Sequence, residues 1–238
     1  FIHLLMLLRK NFLNSKLGIS INSSGKLLGD VYESLGFELT NSQKHVIREI
    51  RNDFSLSRPM NRLIQGDVGS GKTIVSILAA SMIIGNGHQV ALMAPTEILV
   101  EQHFIELNNF FKKFNVTVSI LTGKMTKKVK DVIYSDLKSG GIDIIVGTHA
   151  LFQDDVSFNN LGLVIIDEQH KFGVKQRKRL ISKGQHPEVL AMTATPIPRT
   201  LAFTIHGDMD ISIINELPKG RLPIKTRIIN REEISSVY

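Results

Sequence analysis

The chain has 238 residues, 42% hydrophobic and 21% charged, enough apolar side chain for one sizeable globular core. Cysteine is absent, which excludes a disulfide framework, a thiolate metal site and a cysteine nucleophile, and is compatible with a reducing cytoplasm. A formal charge of +7 favours a polyanionic partner through an attraction that is blind to sequence.

In chain order, Phe1 to Leu8 is an apolar run followed by Arg9 and Lys10. No basic residues precede it and no small-residue cleavage site follows, so it does not read as a signal peptide. It reads as an internal helix exposed by truncation, which makes the whole chain a fragment. No run approaches the roughly 18 to 20 apolar residues needed to span a bilayer, and no membrane partner is expected. The chain turns polar through Asn22, Ser23, Ser24 and Gly25, so residues 1–36 read as the end of a preceding region and a linker.

From residue 37 to about 216, strand and helix patterns alternate. Asn61 to Gln65 predicts a strand, and Thr73 to Ile84 a buried helix that stops at Gly85. Then come Gln89 to Met93 (strand), Glu97 to Lys113 (helix), Val116 to Leu121 (strand), Thr126 to Lys138 (helix) and Ile142 to Val146 (strand). Leu163 to Ile166 (strand), Val174 to Ser182 (helix), Glu188 to Met192 (strand) and Arg199 to His206 (helix) complete the series. Such alternation predicts an α/β fold, a mostly parallel central sheet with helices on both faces. Leu217 to Pro223 carries Pro and Gly breakers and reads as a hinge. Ile224 to Ile229 then has a strand pattern, so residues 217–238 read as the start of a second unit.

Two strings carry chemistry. Residues 66–73 read GDVGSGKT, a complete G-x-x-x-x-G-K-[ST] phosphate loop. Gly66, Gly69 and Gly71 let successive backbone N–H groups turn inward towards phosphates, with Asp67, Val68 and Ser70 between them. Lys72 reaches the β- and γ-phosphates, and the Thr73 hydroxyl is a magnesium ligand. The second string is Asp167-Glu168-Gln169-His170, directly after the apolar run Leu163 to Ile166. Carboxylates there sit at the strand end where an open α/β sheet places its ligands. Asp167 is expected to face the magnesium ion and Glu168 to polarise the water that attacks the γ-phosphate. ATP and Mg2+ are the cofactors this combination predicts.

Four further loops fall at predicted strand ends: Ala94 to Glu97, Leu121 to Lys124, Gly147 to Ala150 and Thr193 to Pro196. Each alone is an ordinary capped turn. Together on one rim, their threonines, glycines and helix N-termini suit the oxygens of a sugar–phosphate chain. Two basic runs, Lys124 to Lys130 and Lys175 to Arg179, are either solvated helix faces or contacts to a polyanion or neighbouring domain. His103 and His149 stand at no metal-binding spacing, so no zinc site is expected.

The ordered strings GDVGSGKT, APTEILVEQH, LTGKMTKK, IIVGTHAL, VIIDEQHKFGVKQR, MTATPIPRTLA and INELPKGR resemble the first motor domain of the bacterial RecG family of superfamily 2 helicases. The resemblance covers roughly residues 37–225 and implies a RecA-like P-loop NTPase domain. It implies ATP-dependent movement on branched or double-stranded DNA, at stalled forks and Holliday junctions, gripped mainly through the backbone. It further implies that Phe37 stacks on adenine, that Gln43 bonds its edge, and that His170 couples the acidic box to Thr193 and Thr195. Pro95, Thr96, Thr122, Gly123, Thr148 and His149 match backbone-contacting positions, with charge added by Lys124, Lys127 and Lys128. Phe37 has a plain alternative as a core plug. Lys171 stands where arginine is more familiar, keeping charge without bidentate bonding. The family's fork-binding N-terminal domain and its second motor domain, with the arginines that assist hydrolysis, are absent from these residues. A transcription-repair coupling translocase and a non-hydrolysing nucleotide- or DNA-binding module are the alternative readings.

Overall fold

The protein is described from a computed structural model covering residues 18–19, 21, 25–195 and 209–218. The expected helix at Arg199 to His206 and strand at Ile224 to Ile229 lie outside the described residues, as does the apolar opening.

The elements are helices α1 (Gly25–Glu33) and α2 (Asn41–Phe54), strand β1 (Asn61–Gly66), helix α3 (Lys72–Ile84), strand β2 (Gln89–Met93) and helix α4 (Glu97–Phe111). They continue with β3 (Val118–Leu121), α5 (Lys127–Ser139), β4 (Ile144–Gly147), β5 (Leu161–Asp167), α6 (Val174–Ile181), β6 (Glu188–Thr193) and β7 (Asp210–Ile214). Among the described residues seven strands form one sheet in the order β3-β4-β2-β5-β6-β1-β7, every pair parallel. A parallel sheet needs crossovers, and the helices supply them on both faces. The alternation of side chains sorts each strand between the two layers. Val90 and Leu92 of β2 join Leu163 and Ile165 of β5 in one core, packed with α2, α3 and α4. Ala91 and Met93 join Val164 and Ile166 in the other, with Ile133 and Leu137 of α5 and Leu180 of α6. The expected α/β class, with helices on both faces, is the observed one.

Helix α3 is apolar nearly all round, and every residue from Val75 to Ile83 is buried. Such a helix cannot be a surface helix. Helix α2 instead buries one stripe, Gln43, Val46, Ile50 and Phe54, and begins with a Thr40–Gln43 capping box. The segment read as a linker holds α1, which buries Val31 completely and packs on α3. Strand β7 was not foreseen: Asp210 and Ser212 interrupt its apolar pattern. It is held at the sheet edge by β1 and by Arg62, whose Nη1 donates to Ser212 Oγ at 2.8 Å and whose Nε donates to Asp53 at 2.7 Å.

Glu188 opens β6 fully buried, with one carboxylate oxygen accepting from Met60 N–H and the other without a hydrogen-bond partner among the described residues. Burial raises its pKa from 4.5 to about 8, partly opposed by the Met60 bond. The folded state therefore holds a proton that the unfolded chain releases above 4.5. Stability from this group is full below the unfolded pKa and is lost as pH rises towards about 8. Glu188→Gln keeps the acceptor and removes the titration. Urea unfolding should show the variant gaining on the native protein by up to about 1.4 kcal/mol per pH unit across that window. Parallel pH profiles would refute it.

Candidate functional site

All strands run the same way, so their C-terminal ends share one edge of the sheet, and the chemistry gathers there. β1 runs directly into the loop 66–71, and two of its glycines are structurally required. A Cβ on Gly66 would lie 2.5 Å from Ser70 Oγ. Gly71 has φ +88°, and a Cβ there would meet Gln43 Nε2 at 2.2 Å. Gly71 caps α3 without a side-chain bond, which leaves the first-turn N–H groups turned to the loop, an anion-binding arrangement. Lys72 Nζ donates to the carbonyls of Gly66 at 2.7 Å and Asp67 at 3.0 Å. Its pKa is lowered by burial, against the opposing fields of Asp167, Glu168 and Asp67. The acids therefore act on the loop lysine, although 95 residues of sequence (167 − 72) separate Lys72 from Asp167.

Register explains this convergence. Asp167 ends β5 opposite Met192 of β6, and Gln65 of β1 lies opposite Thr193. With β6 alone between them, loop and acids are two strand spacings apart, about 10 Å. Asp167 Oδ1 accepts from Glu168 N at 3.0 Å, and Oδ2 pairs with His103 Nε2 at 2.8 Å. Glu168 takes a left-handed backbone, φ +47°, rare for a residue with a side chain. Its carboxylate accepts from Ala194 N at 3.2 Å and Thr193 Oγ1 at 3.3 Å, and lies 3.4 Å from His170 Nδ1. Thr193 Oγ1 also accepts from Thr195 N at 3.1 Å. Glu168 is thus the junction between His170 and the end of β6.

Gln43, expected at an adenine edge, is 1% exposed, and both ends of its side chain are engaged. Its Oε1 accepts from Thr40 N at 2.9 Å, and its Nε2 donates to Ser70 O in the phosphate loop at 2.8 Å. Phe37 is 56% exposed, which removes the core-plug alternative. Gln169 is buried and accepts from Arg177 Nη1 at 2.9 Å, tying the acidic box to basic helix α6.

The neighbouring strand ends β2, β4 and β3 carry the threonine loops. Pro95 follows β2, and Thr96 caps α4 by accepting from Leu99 N. Thr122 and Gly123 follow β3, where a Cβ on Gly123 would lie 3.8 Å from His149 Nε2 and 4.0 Å from Glu97 Oε1. Thr148 is buried after β4, its hydroxyl without a partner among the described residues. Lys124 pairs with Glu97, which offsets part of the charge expected there. Lys127 and Lys128 are exposed at the start of α5.

Sequence reasoning weighed His103 only as a metal ligand and missed its pairing with Asp167. Its only local signal is a histidine inside the buried stripe Val100, His103, Leu107 and Phe111 of α4.

Residues 40–203 match the model of the DEAD/DEAH box helicase family. The chain is 49% identical to the ATP-dependent DNA helicase RecG of Aquifex aeolicus strain VF5 over 237 residues, 99% of this chain and 30% of that protein. It is 51% identical to that of Bacillus subtilis strain 168 over 220 residues, 92% of this chain and 32% of that protein. A solved structure of RecG bound to a three-way DNA junction aligns with TM-score 0.86 at 43% identity, over 99% of this chain and 32% of that one. The chain thus spans about a third of the length of these relatives. A P-loop and an acidic strand end joined across one parallel sheet are what a RecA-like motor domain requires, and with these likenesses the chain belongs to the DEAD/DEAH box helicase family, in its RecG group.

Proposed function

We propose that this chain is the ATP-binding motor domain of a cytoplasmic DNA helicase that remodels branched DNA in recombination and repair. The carrying observation is that the phosphate loop after β1 and the acids at the end of β5 lie at the same sheet edge with β6 alone between them. The motor core is proposed at 37–216, flanked by α1, with 217–238 leading to a second motor domain.

On this reading, the amides of 66–71 and the first turn of α3 hold the phosphates, and Lys72 exchanges the Gly66 and Asp67 carbonyls for β- and γ-oxygens. Phe37 stacks on the adenine. Gln43 reaches its edge by releasing Ser70 O, which links base recognition to the shape of the phosphate loop. Glu168 polarises the attacking water, and its bonds to Thr193 and His170 register the nucleotide state. Phosphoryl transfer asks mainly for such positioning and charge placement. The residues fit a magnesium ion that arrives with the phosphates. No cluster of three acidic, histidine or cysteine groups able to hold a metal exists among the described residues, but Thr73 and Asp167 would hold an ion that enters with the nucleotide. Bound there, magnesium supplies neutralisation of the phosphate charge.

Pro95, Thr96, Thr122, Gly123, Thr148 and His149 are proposed to track a DNA backbone, with Lys124, Lys127 and Lys128 adding charge. In support, they lie on adjacent strand ends. Phosphate contacts carry no base information. The full-length protein should bind DNA of any sequence alike and lose affinity at least about tenfold between roughly 50 and 200 mM salt. The deciding experiment measures its ATP hydrolysis with and without a three-way junction. Stimulation of about tenfold or more is expected; an unchanged rate would defeat the motor reading.

A further inference from the structure

The buried stripe of α4 would be complete with a fourth apolar residue, yet it holds His103, 9% exposed. A buried imidazole must find a partner, and packing alone would be served by leucine. The partner is Asp167 Oδ2, 2.8 Å from Nε2, on the strand that ends at the acidic box. Glu168 N holds the other oxygen, so the carboxylate is fixed from both sides. Two helical turns before His103, about 10 Å along the axis, α4 begins at its cap Thr96 on the rim. Between and beyond these points Val100, Leu107 and Phe111, none more than 2% exposed, lock the helix into the core. One rigid element therefore touches both the rim and the acid.

We infer that His103 is a positioning residue that transmits strand contact at the N-terminus of α4 to Asp167, and so couples DNA binding to nucleotide binding. The inference rests on the proposed motor function. The route is direct: a shift at Thr96 when a phosphate seats there moves the imidazole, and the imidazole moves the carboxylate. Because coupling is reciprocal, nucleotide must tighten DNA as much as DNA tightens nucleotide. Hydrogen-bond partners behind a metal-facing carboxylate typically change metal affinity 10- to 100-fold when removed.

The test uses the full-length protein, a fluorescent ATP analogue and a three-way DNA junction, and reads equilibrium binding instead of turnover. His103→Met fills the space without a donor, and His103→Gln restores a donor near the position of Nε2. In H103M the magnesium concentration needed for half-maximal nucleotide binding should rise about tenfold. The gain in nucleotide affinity on adding DNA should fall at least about fivefold towards none. Nucleotide binding without magnesium and DNA binding without nucleotide should stay as in the native protein, and H103Q should recover most of both losses. Native midpoints and coupling in H103M overturn the inference. So do equal losses in H103M and H103Q, which would assign His103 to packing. A native protein that binds no nucleotide overturns the motor reading itself, and the inference with it.

Discussion

Glu168→Gln should lower ATP turnover by the full-length protein about 100-fold or more while leaving nucleotide affinity within about threefold. The substitution is nearly isosteric. The Gln oxygen can still accept from Ala194 N, and its NH2 group can turn to Thr193 Oγ1, whose oxygen accepts, so the left-handed corner at residue 168 keeps its bonds. On the proposed mechanism, what disappears is the negative charge that would draw a proton from the attacking water, and general-base groups typically contribute 10²- to 10⁴-fold. Binding is spared because Lys72 and the loop amides are untouched, and removal of one negative charge near the phosphates acts in its favour. Rates from a coupled assay, beside affinities from a fluorescent analogue, separate the two effects. Undiminished turnover in the variant would show that another group polarises the water.

Lys72→Ala should act on the opposite quantity, weakening nucleotide binding by about 10- to 100-fold, with hydrolysis falling at least as far. A hydrogen bond to a charged group contributes about 1.5 to 3 kcal/mol net, which sets that range. Partial burial strengthens the contact, since the ammonium has shed part of its water, which also lowers its pKa. The same deletion leaves the carbonyls of Gly66 and Asp67 without their Lys72 donor and removes the Lys72 charge that faces Asp167 and Glu168. A modest fall in stability, about 1 kcal/mol, should accompany it. Calorimetric titration beside thermal unfolding distinguishes lost contact from lost fold. Binding within threefold of native by a folded K72A would remove Lys72 from the phosphate site.

Much of this architecture was legible in the sequence, for local reasons. β2, at Gln89–Met93, coincides with its expected span, and α3 starts one residue earlier than expected. Both are largely apolar, buried runs, where propensity and burial agree. Strand β7 escaped because Asp210 and Ser212 interrupt its isoleucines, and the polar Ser212 is there for Arg62. Helix α1 escaped because its nine residues are mostly surface, with Val31 as its buried anchor.

The strings of the candidate site stand out in the sequence because a phosphate-binding loop needs particular residue types at adjacent positions, and adjacency is what a sequence displays. The chain order of strands and helices likewise implied that every strand end would face the same edge. Only the folded sheet decided which ends became neighbours. β6 is late in the chain yet inserts between β5 and β1, bringing Thr193 to Glu168. The pairing of β2 with β5 sets α4 beside the acidic box and delivers His103 to Asp167 across 64 residues of sequence. Gln43 meets Ser70 O because α2 lies against the loop. Local patterning selects helix or strand residue by residue, whereas strand order and register arise from burying both sheet faces at once, a constraint shared by the whole chain.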